Sequence, residues 1–199
     1  MKRALSVLAA VFFLIMSGVA EAERADDRPA QGLGKWLEEV GIAGAYTHGG
    51  LKGGLDFGSA SIGVRFGFDL KPFVKKFGLQ PPGLLEIVYE PTAGTITQPL
   101  YNIEVMLPVS LRYAYPLMEK LYPYVEIGTG PYYFTLHTYE QSTQINFMSI
   151  GGAGFLYFLR DDLAVTVGYR RRHISNGSVK EPNGGIDANA VTFGVSWFF

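Results

Sequence analysis

The strongest constraint on the fold is a strict two-residue alternation near the C-terminus, in residues 162–199. Two segments, DLAVTVGYRRRHIS and DANAVTFGVSWFF, flank the glycine-rich loop NGSVKEPNGGI. Most odd-numbered residues of both segments are large and apolar, whereas the even-numbered residues are mainly small or polar. Because strand side chains alternate between two faces, this pattern predicts a β-hairpin with lipid on one face and a polar lumen on the other.

The odd-numbered face of this hairpin carries polar residues at its loop end. His173 and Ser175 close the first segment, and Asp187 opens the second. We expect Ser175 to lie opposite Asp187. The same register places Leu163 opposite Phe199, so the other ends of the two strands also align. Serine, histidine and a carboxylate within reach of one another are the parts of a nucleophile–base–orienter triad. Since their face is the lipid-facing one, a hydrolase of this design would act on a lipid.

The N-terminus has the three parts of a secretory signal peptide: a basic start, an apolar run from Leu5 to Ala20, and the small-x-small site Ala20-Glu21-Ala22. The apolar run is shorter than the roughly 20 residues that a spanning helix needs. We therefore expect a signal peptide over residues 1–22, a flexible leader over 23–35, and a folded domain over 36–199.

The folded domain is predicted to be all-β: an eight-stranded antiparallel transmembrane β-barrel. Alternating segments precede the hairpin at 36–48, 59–70, 84–90, 101–115, 122–134 and 144–159. Residues 91–99 are expected to form a loop, because they hold two prolines and a glycine. Pro108 removes a ladder donor and should mark a bulge or a strand edge. The chain has no cysteine, which excludes disulfides and thiolate metal sites. We predict no metal, no cofactor and no nucleic-acid partner.

Charged residues recur on the inward-facing positions of the predicted strands. Because eight strands leave a lumen just wide enough for its own side chains, we expect arginines and carboxylates to pair there rather than to line a pore. The inward charges are Arg65, Asp69, Glu86, Glu104, Arg112, Glu126, Arg170 and Arg172.

The motifs HISNG (173–177) and PNGGID (182–187), with a C-terminal strand ending in Phe199, resemble the PagL family of outer-membrane lipid A 3-O-deacylases. The resemblance implies a serine esterase in the bacterial outer membrane that removes the 3-O-linked acyl chain of lipopolysaccharide in the outer leaflet. Ser175 would be the nucleophile, His173 the general base and Asp187 the orienting acid. Asn176, with loop amides near Gly177 and Ser178, would bind the oxyanion.

The sequence departs from this family at the acidic residue, which is glutamate in the family and aspartate at position 187 here. Glu181, in the same loop, is the alternative third member of the triad. Arg171, Arg172 and Lys180 could pair with lipid A phosphates or act as interface anchors. Three further alternatives stay open: another outer-membrane lipid esterase or acyltransferase, a non-enzymatic structural barrel, and a homodimer.

Overall fold

The computed structural model describes residues 36–51 and 54–199, so the predicted signal peptide and leader lie outside the described residues. Ten strands alternate with short turns and one short helical segment. The strands are β1 (Leu37–Gly50), β2 (Asp56–Asp69), β3 (Leu84–Tyr89), β4 (Thr92–Gln98), β5 (Asn102–Met106), β6 (Val109–Ala114), β7 (Leu121–Phe134), β8 (Ile145–Arg160), β9 (Leu163–Ser175) and β10 (Ile186–Phe198). Helix α1 (Lys71–Val74) runs into a 3-10 helix (Lys75–Phe77). No helix in the described part of the chain is long and apolar enough to cross a bilayer.

All strand pairs are antiparallel, and the sheet closes on itself because β1 pairs with both β2 and β10. Strands β3 and β4 both pair with β2, and β5 and β6 both pair with β7. Each of these pairs of short strands therefore acts as one interrupted strand of the ring. The ten strands make up an eight-stranded antiparallel barrel, which confirms the predicted fold class.

Each of the two interrupted strands breaks at a proline. The break at Leu107–Pro108 confirms the expectation for Pro108. The predicted loop over residues 91–99 is wrong, because Thr92–Gln98 forms β4 between β2 and β5. Pairing with β2 and β5 satisfies the backbone hydrogen bonds of β4, and this outweighs the turn-forming composition of the segment.

The alternation seen in the sequence separates lipid-facing from lumen-facing side chains. Outward residues such as Ile62, Ile127 and Phe193 are more than half exposed, although they are large and apolar. Inward residues such as Arg65, Glu86 and Arg112 are almost fully buried. A continuous apolar exterior around a polar interior is the pattern of a transmembrane barrel.

Ion pairs fill the middle of the lumen, as predicted. Arg170 contacts Glu90 and Glu126, each at 2.6 Å, and Arg65 contacts Glu90 at 2.7 Å. Arg112 binds both Glu86 and Glu39.

Two buried apolar clusters cover this charged layer. The cluster towards the loop between β9 and β10 includes Phe57, Phe134 and Ile174, and the cluster at the opposite end includes Tyr122, Phe158 and Phe198. The end with the long loop over residues 176–185 is called the outer end here. The opposite end, where a two-residue turn joins β8 to β9, is the periplasmic end, because such barrels keep their short turns on that side.

The register of the C-terminal hairpin differs from the predicted one by two residues. Asp187 lies opposite His173, not opposite Ser175, and Trp197 rather than Phe199 lies opposite Leu163. A shift of two residues leaves every side chain on its expected face, because strand side chains repeat every two residues. The shift therefore changes the partners within the predicted triad but not the surface that they share.

Candidate active site

The central contact of the site joins neighbouring strands at the outer end of the barrel. The β9–β10 ladder sets His173 directly opposite Asp187, with His173 Nδ1 3.0 Å from Asp187 Oδ1. Both side chains point outward and are about half exposed, 51% and 58%. This contact orients the imidazole and leaves its Nε2 as the nitrogen that can take a proton from a nucleophile.

Ser175 is the last residue of β9 and lies two positions beyond His173 on the same face. It is half-buried and pairs with Phe147 on β8. Within the described residues no hydrogen bond joins Ser175 to His173. Such bonds are often long before substrate binds, and residues two apart on a strand are roughly 7 Å apart, a gap that the imidazole ring partly spans. A second serine, Ser149 on β8, lies opposite His173 on its other side.

Of the two neighbouring arginines, only Arg171 lies on the face of the site. Its Nη2 is 3.7 Å from Asp187 Oδ2, so the two carboxylate oxygens of Asp187 contact different side chains, one the imidazole of His173 and the other the guanidinium of Arg171. Arg172 points into the lumen, is buried, and its Nη1 donates to Thr47 Oγ1 at 2.9 Å. Arg172 is therefore not placed to contact a lipid phosphate, and that expectation was wrong.

Asn176 opens the loop after β9 and is buried within it. Its Nδ2 donates to the carbonyl oxygen of Lys180 at 2.7 Å and to Ser142 Oγ at 3.3 Å. Its backbone N–H donates to Asn183 Oδ1 at 2.9 Å.

The next two residues, Gly177 and Ser178, both have positive φ, 66° and 62°. No backbone N–H bond from either is found in the part of the chain that the structure describes. The amides of Gly177 and Ser178 are therefore available as hydrogen-bond donors close to Ser175.

The neighbouring outer loop, between β7 and β8, holds the site loop in place. Gln141 forms an antiparallel bridge with Asn183, and the Ser142 N–H donates to the carbonyl oxygen of Pro182 at 3.0 Å. Ser142 Oγ donates to the carbonyl oxygen of Lys180 at 2.8 Å. The loop over residues 176–185 is therefore cross-linked to a second loop by main-chain and side-chain bonds.

Glu181, the alternative acid, lies within the site loop, and its Oε2 accepts a hydrogen bond from the Asn183 N–H at 2.9 Å. Its carboxylate is used by its own loop, whereas the carboxylate of Asp187 contacts His173. Of the two acids, the structure brings Asp187 to the histidine.

Sequence reasoning gave no role to Gly185, Asn183 or Ser142, all of which shape the site. The signal for two of them lay in the motif PNGGID, because asparagine and glycine are the residues that build tight loops. Ser142 carries no comparable signal, since its role arises from contact between two loops that are distant in sequence.

No group of three or more His, Cys, Asp or Glu side chains within residues 36–51 and 54–199 is placed to hold a metal ion. The groups that the site itself presents are a serine, an imidazole, a carboxylate and backbone amides.

Comparison with known proteins places the chain in a family. The model of the family "Lipid A 3-O-deacylase (PagL)" matches residues 59–196. No curated protein sequence matches the chain. The crystal structure of the outer membrane enzyme PagL is similar with a TM-score of 0.59 and 17% identity, over 76% of this chain and 97% of that one. Neisserial surface protein A gives a TM-score of 0.61 and 14% identity, over 81% and 96% of the two chains. At these identities the two structures show a shared barrel fold.

Proposed function

The chain belongs to the lipid A 3-O-deacylase (PagL) family of the bacterial outer membrane, and on this premise we propose that it hydrolyses the 3-O-linked acyl ester of lipid A. The observation that carries the proposal is the 3.0 Å contact between His173 Nδ1 and Asp187 Oδ1, with Ser175 on the same outward face. An ester hydrolase whose reacting groups face the lipid, at the outer end of the barrel, fits a substrate held in the outer leaflet.

In the acylation step, Ser175 Oγ attacks the ester carbonyl carbon while His173 Nε2 takes the hydroxyl proton. The tetrahedral intermediate collapses by breaking the bond between the carbonyl carbon and the sugar oxygen. The imidazolium returns its proton to that oxygen, so the sugar leaves with a free 3-hydroxyl group and the acyl chain stays on Ser175. Asp187 stabilises the imidazolium through its contact with Nδ1.

In the deacylation step, a water molecule replaces the sugar oxygen. His173 takes a proton from the water as it attacks the acyl-serine, and then gives that proton to Ser175 Oγ as the acyl–oxygen bond breaks. The products are a fatty acid and the restored serine. The half exposure of His173 supports access for this water.

The negative oxygen of each intermediate needs hydrogen-bond donors. We assign this role to the backbone amides of Gly177 and Ser178, which are available and lie two and three residues beyond the nucleophile. Asn176 contributes by ordering this turn, since its side-chain and backbone donors are held by Lys180, Ser142 and Asn183. The family resemblance that points to Asn176 as an oxyanion residue is compatible with this indirect role.

Mass spectrometry of lipid A tests the proposal in cells that lack an endogenous deacylase and express the wild type, Ser175→Ala or Ser149→Ala. We expect loss of one hydroxyacyl group with the wild type and with Ser149→Ala, but not with Ser175→Ala. Ser149 is the matched control because it flanks His173 on β8. Heat-modifiable migration in gels confirms that each barrel is folded.

Three other outcomes would contradict parts of this assignment. Loss of activity in Ser149→Ala alone would move the nucleophile to β8. Unchanged lipid A with a folded wild-type barrel would overturn the deacylase. An acyl chain recovered on another lipid instead of as fatty acid would make the protein an acyltransferase.

A further inference from the structure

The helical segment between β2 and β3 lies at the periplasmic end, opposite to the candidate active site. Neither α1 nor the 3-10 helix after it contains a buried residue. The rings of Phe73 and Phe77 pack edge to face with centroids 5.4 Å apart, yet they are 52% and 71% exposed. Leu79 is also largely exposed. A helix that orders two phenylalanines at the surface without burying either needs an apolar partner beyond the residues that the structure describes.

This apolar cluster continues the lipid-facing surface of the barrel. The segment starts directly after β2, whose outward Phe68 is part of the apolar exterior. The Leu70 N–H donates to the carbonyl oxygen of Leu85 at 2.8 Å, which ties the start of the segment to the edge of β3. Phe73 and Phe77 therefore extend the lipid-facing surface where the barrel meets the periplasmic leaflet.

The polar side of the segment is basic. Lys75 and Lys76 are exposed, and neither forms an ion pair among the residues described. A cleft of about 260 Å³ lies between the helix and the following loop, lined by Lys71, Lys75, Gln80 and Asp69 together with Leu79 and two prolines. Asp69 Oδ1 in this cleft accepts the Lys71 backbone N–H at 2.8 Å.

We infer that this segment is a binding site for an anionic phospholipid of the periplasmic leaflet. The headgroup phosphate occupies the cleft beside Lys71 and Lys75, Lys76 adds positive charge next to the cleft, and the acyl chains lie along Phe73 and Phe77. Aromatic residues on one face and lysines on the other are the features of helices that lie in a membrane interface and attract anionic lipids. The site lies in the leaflet opposite to the one that holds lipopolysaccharide, and it does not depend on the proposed deacylase activity.

The depth of the segment can be measured with a spin label, because the chain has no cysteine and Phe77→Cys creates a single labelling position. The labelled, refolded barrel is placed in vesicles of phosphatidylcholine with phosphatidylglycerol. We expect the label at position 77 to collide with oxygen and to be protected from a water-soluble nickel chelate. Glu119→Cys, in the exposed turn between β6 and β7, is the control and should stay accessible to nickel.

Lipid preference is measured by native mass spectrometry of the barrel carrying phosphatidylglycerol or phosphatidylcholine. The Lys75→Gln/Lys76→Gln variant should lose preference for phosphatidylglycerol by about fivefold per lysine, whereas Lys120→Gln in the periplasmic turn between β6 and β7 should keep it. Equal preference in wild type and variant would overturn the site. Nickel access at position 77 equal to that at 119 would also overturn it. A label protected in native outer membranes but not in vesicles would indicate a periplasmic protein in place of the lipid.

Discussion

The imidazole of His173 lies against the backbone of Gly185. A Cβ built on Gly185 would be 2.7 Å from His173 Cε1, which is closer than real Cβ contacts allow, and 3.3 Å from Nε2, which is tight. Gly185 also has φ of +73°, a conformation that residues with a side chain rarely adopt. The glycine therefore provides both the turn into β10 and the space in which the ring lies.

Gly185→Ala should lower activity by roughly 10- to 100-fold, because the methyl group displaces the His173 ring from its contact with Asp187. The measurement is turnover of purified lipid A by the folded barrel. Gly54→Ala is the matched control, since its φ is +78° but nothing lies within 4 Å of the added Cβ. Equal losses in both variants would mean that backbone strain, and not the histidine, is responsible.

Asp187→Asn should reduce turnover by roughly 1,000- to 10,000-fold, because an amide neither stabilises the imidazolium nor fixes the tautomer that leaves Nε2 free to accept a proton. Glu181→Gln should have little effect on turnover, since that carboxylate binds the Asn183 N–H in its own loop. The reverse ranking of the two variants would assign the orienting acid to Glu181.

Asp187→Glu tests how closely the β9–β10 register suits aspartate. Asp187 already contacts His173 at 3.0 Å, so one more methylene must push the imidazole aside or turn the carboxylate away. We expect a fall in turnover of about tenfold, smaller than for Asp187→Asn because the charge remains. Activity above that of the wild type would show that the backbone holds His173 and position 187 too far apart for aspartate.

Alternation alone was enough to predict which face of the hairpin carries His173, Ser175 and Asp187, but not which of them are neighbours. Shifting β10 by two residues leaves each face unchanged, so the pattern cannot separate the two registers. In the structure, pairing of β10 with β1 on its other side constrains the register as well, for example with Gly50 opposite Asp187. That constraint comes from closure of the barrel, and the sequence of the two hairpin strands alone carries no information about it.

The contacts around Asn176 show a second limit. Asparagine after the serine was recognised from the motif, but its partners Ser142 and Lys180 depend on how two loops meet. Likewise, Thr92–Gln98 has no alternation of large apolar residues, and it becomes β4 because β2 and β5 lie on either side of it. Long-range pairing of this kind cannot be inferred from local composition.

Glu90→Gln should destabilise the barrel by about 3–5 kcal/mol, because it leaves Arg65 and Arg170 buried without their shared carboxylate. The free energy of unfolding can be measured by urea denaturation of the barrel in micelles. Glu119→Gln, at an exposed turn, should change it by less than about 0.5 kcal/mol. Equal unfolding midpoints for Glu90→Gln and the wild type would show that water or another group stabilises the buried positive charges of Arg65 and Arg170.

Ser142→Ala should lower activity while the barrel stays folded, because it removes the hydroxyl that donates to the Lys180 carbonyl and accepts from Asn176 Nδ2. One such bond contributes about 1 kcal/mol, so we expect the site loop to be less ordered and turnover to fall by about tenfold. Hydrogen exchange of the Asn176 and Val179 amides, which are hydrogen-bonded within the site loop, should quicken together with the loss of turnover. Thr143→Ala is the control, since its hydroxyl donates to the Ile145 carbonyl oxygen at the start of β8 and, among the described residues, forms no hydrogen bond with the site loop. If Ser142→Ala speeds exchange at these amides without lowering turnover, order in this turn is not needed for catalysis, and the oxyanion donors must lie elsewhere.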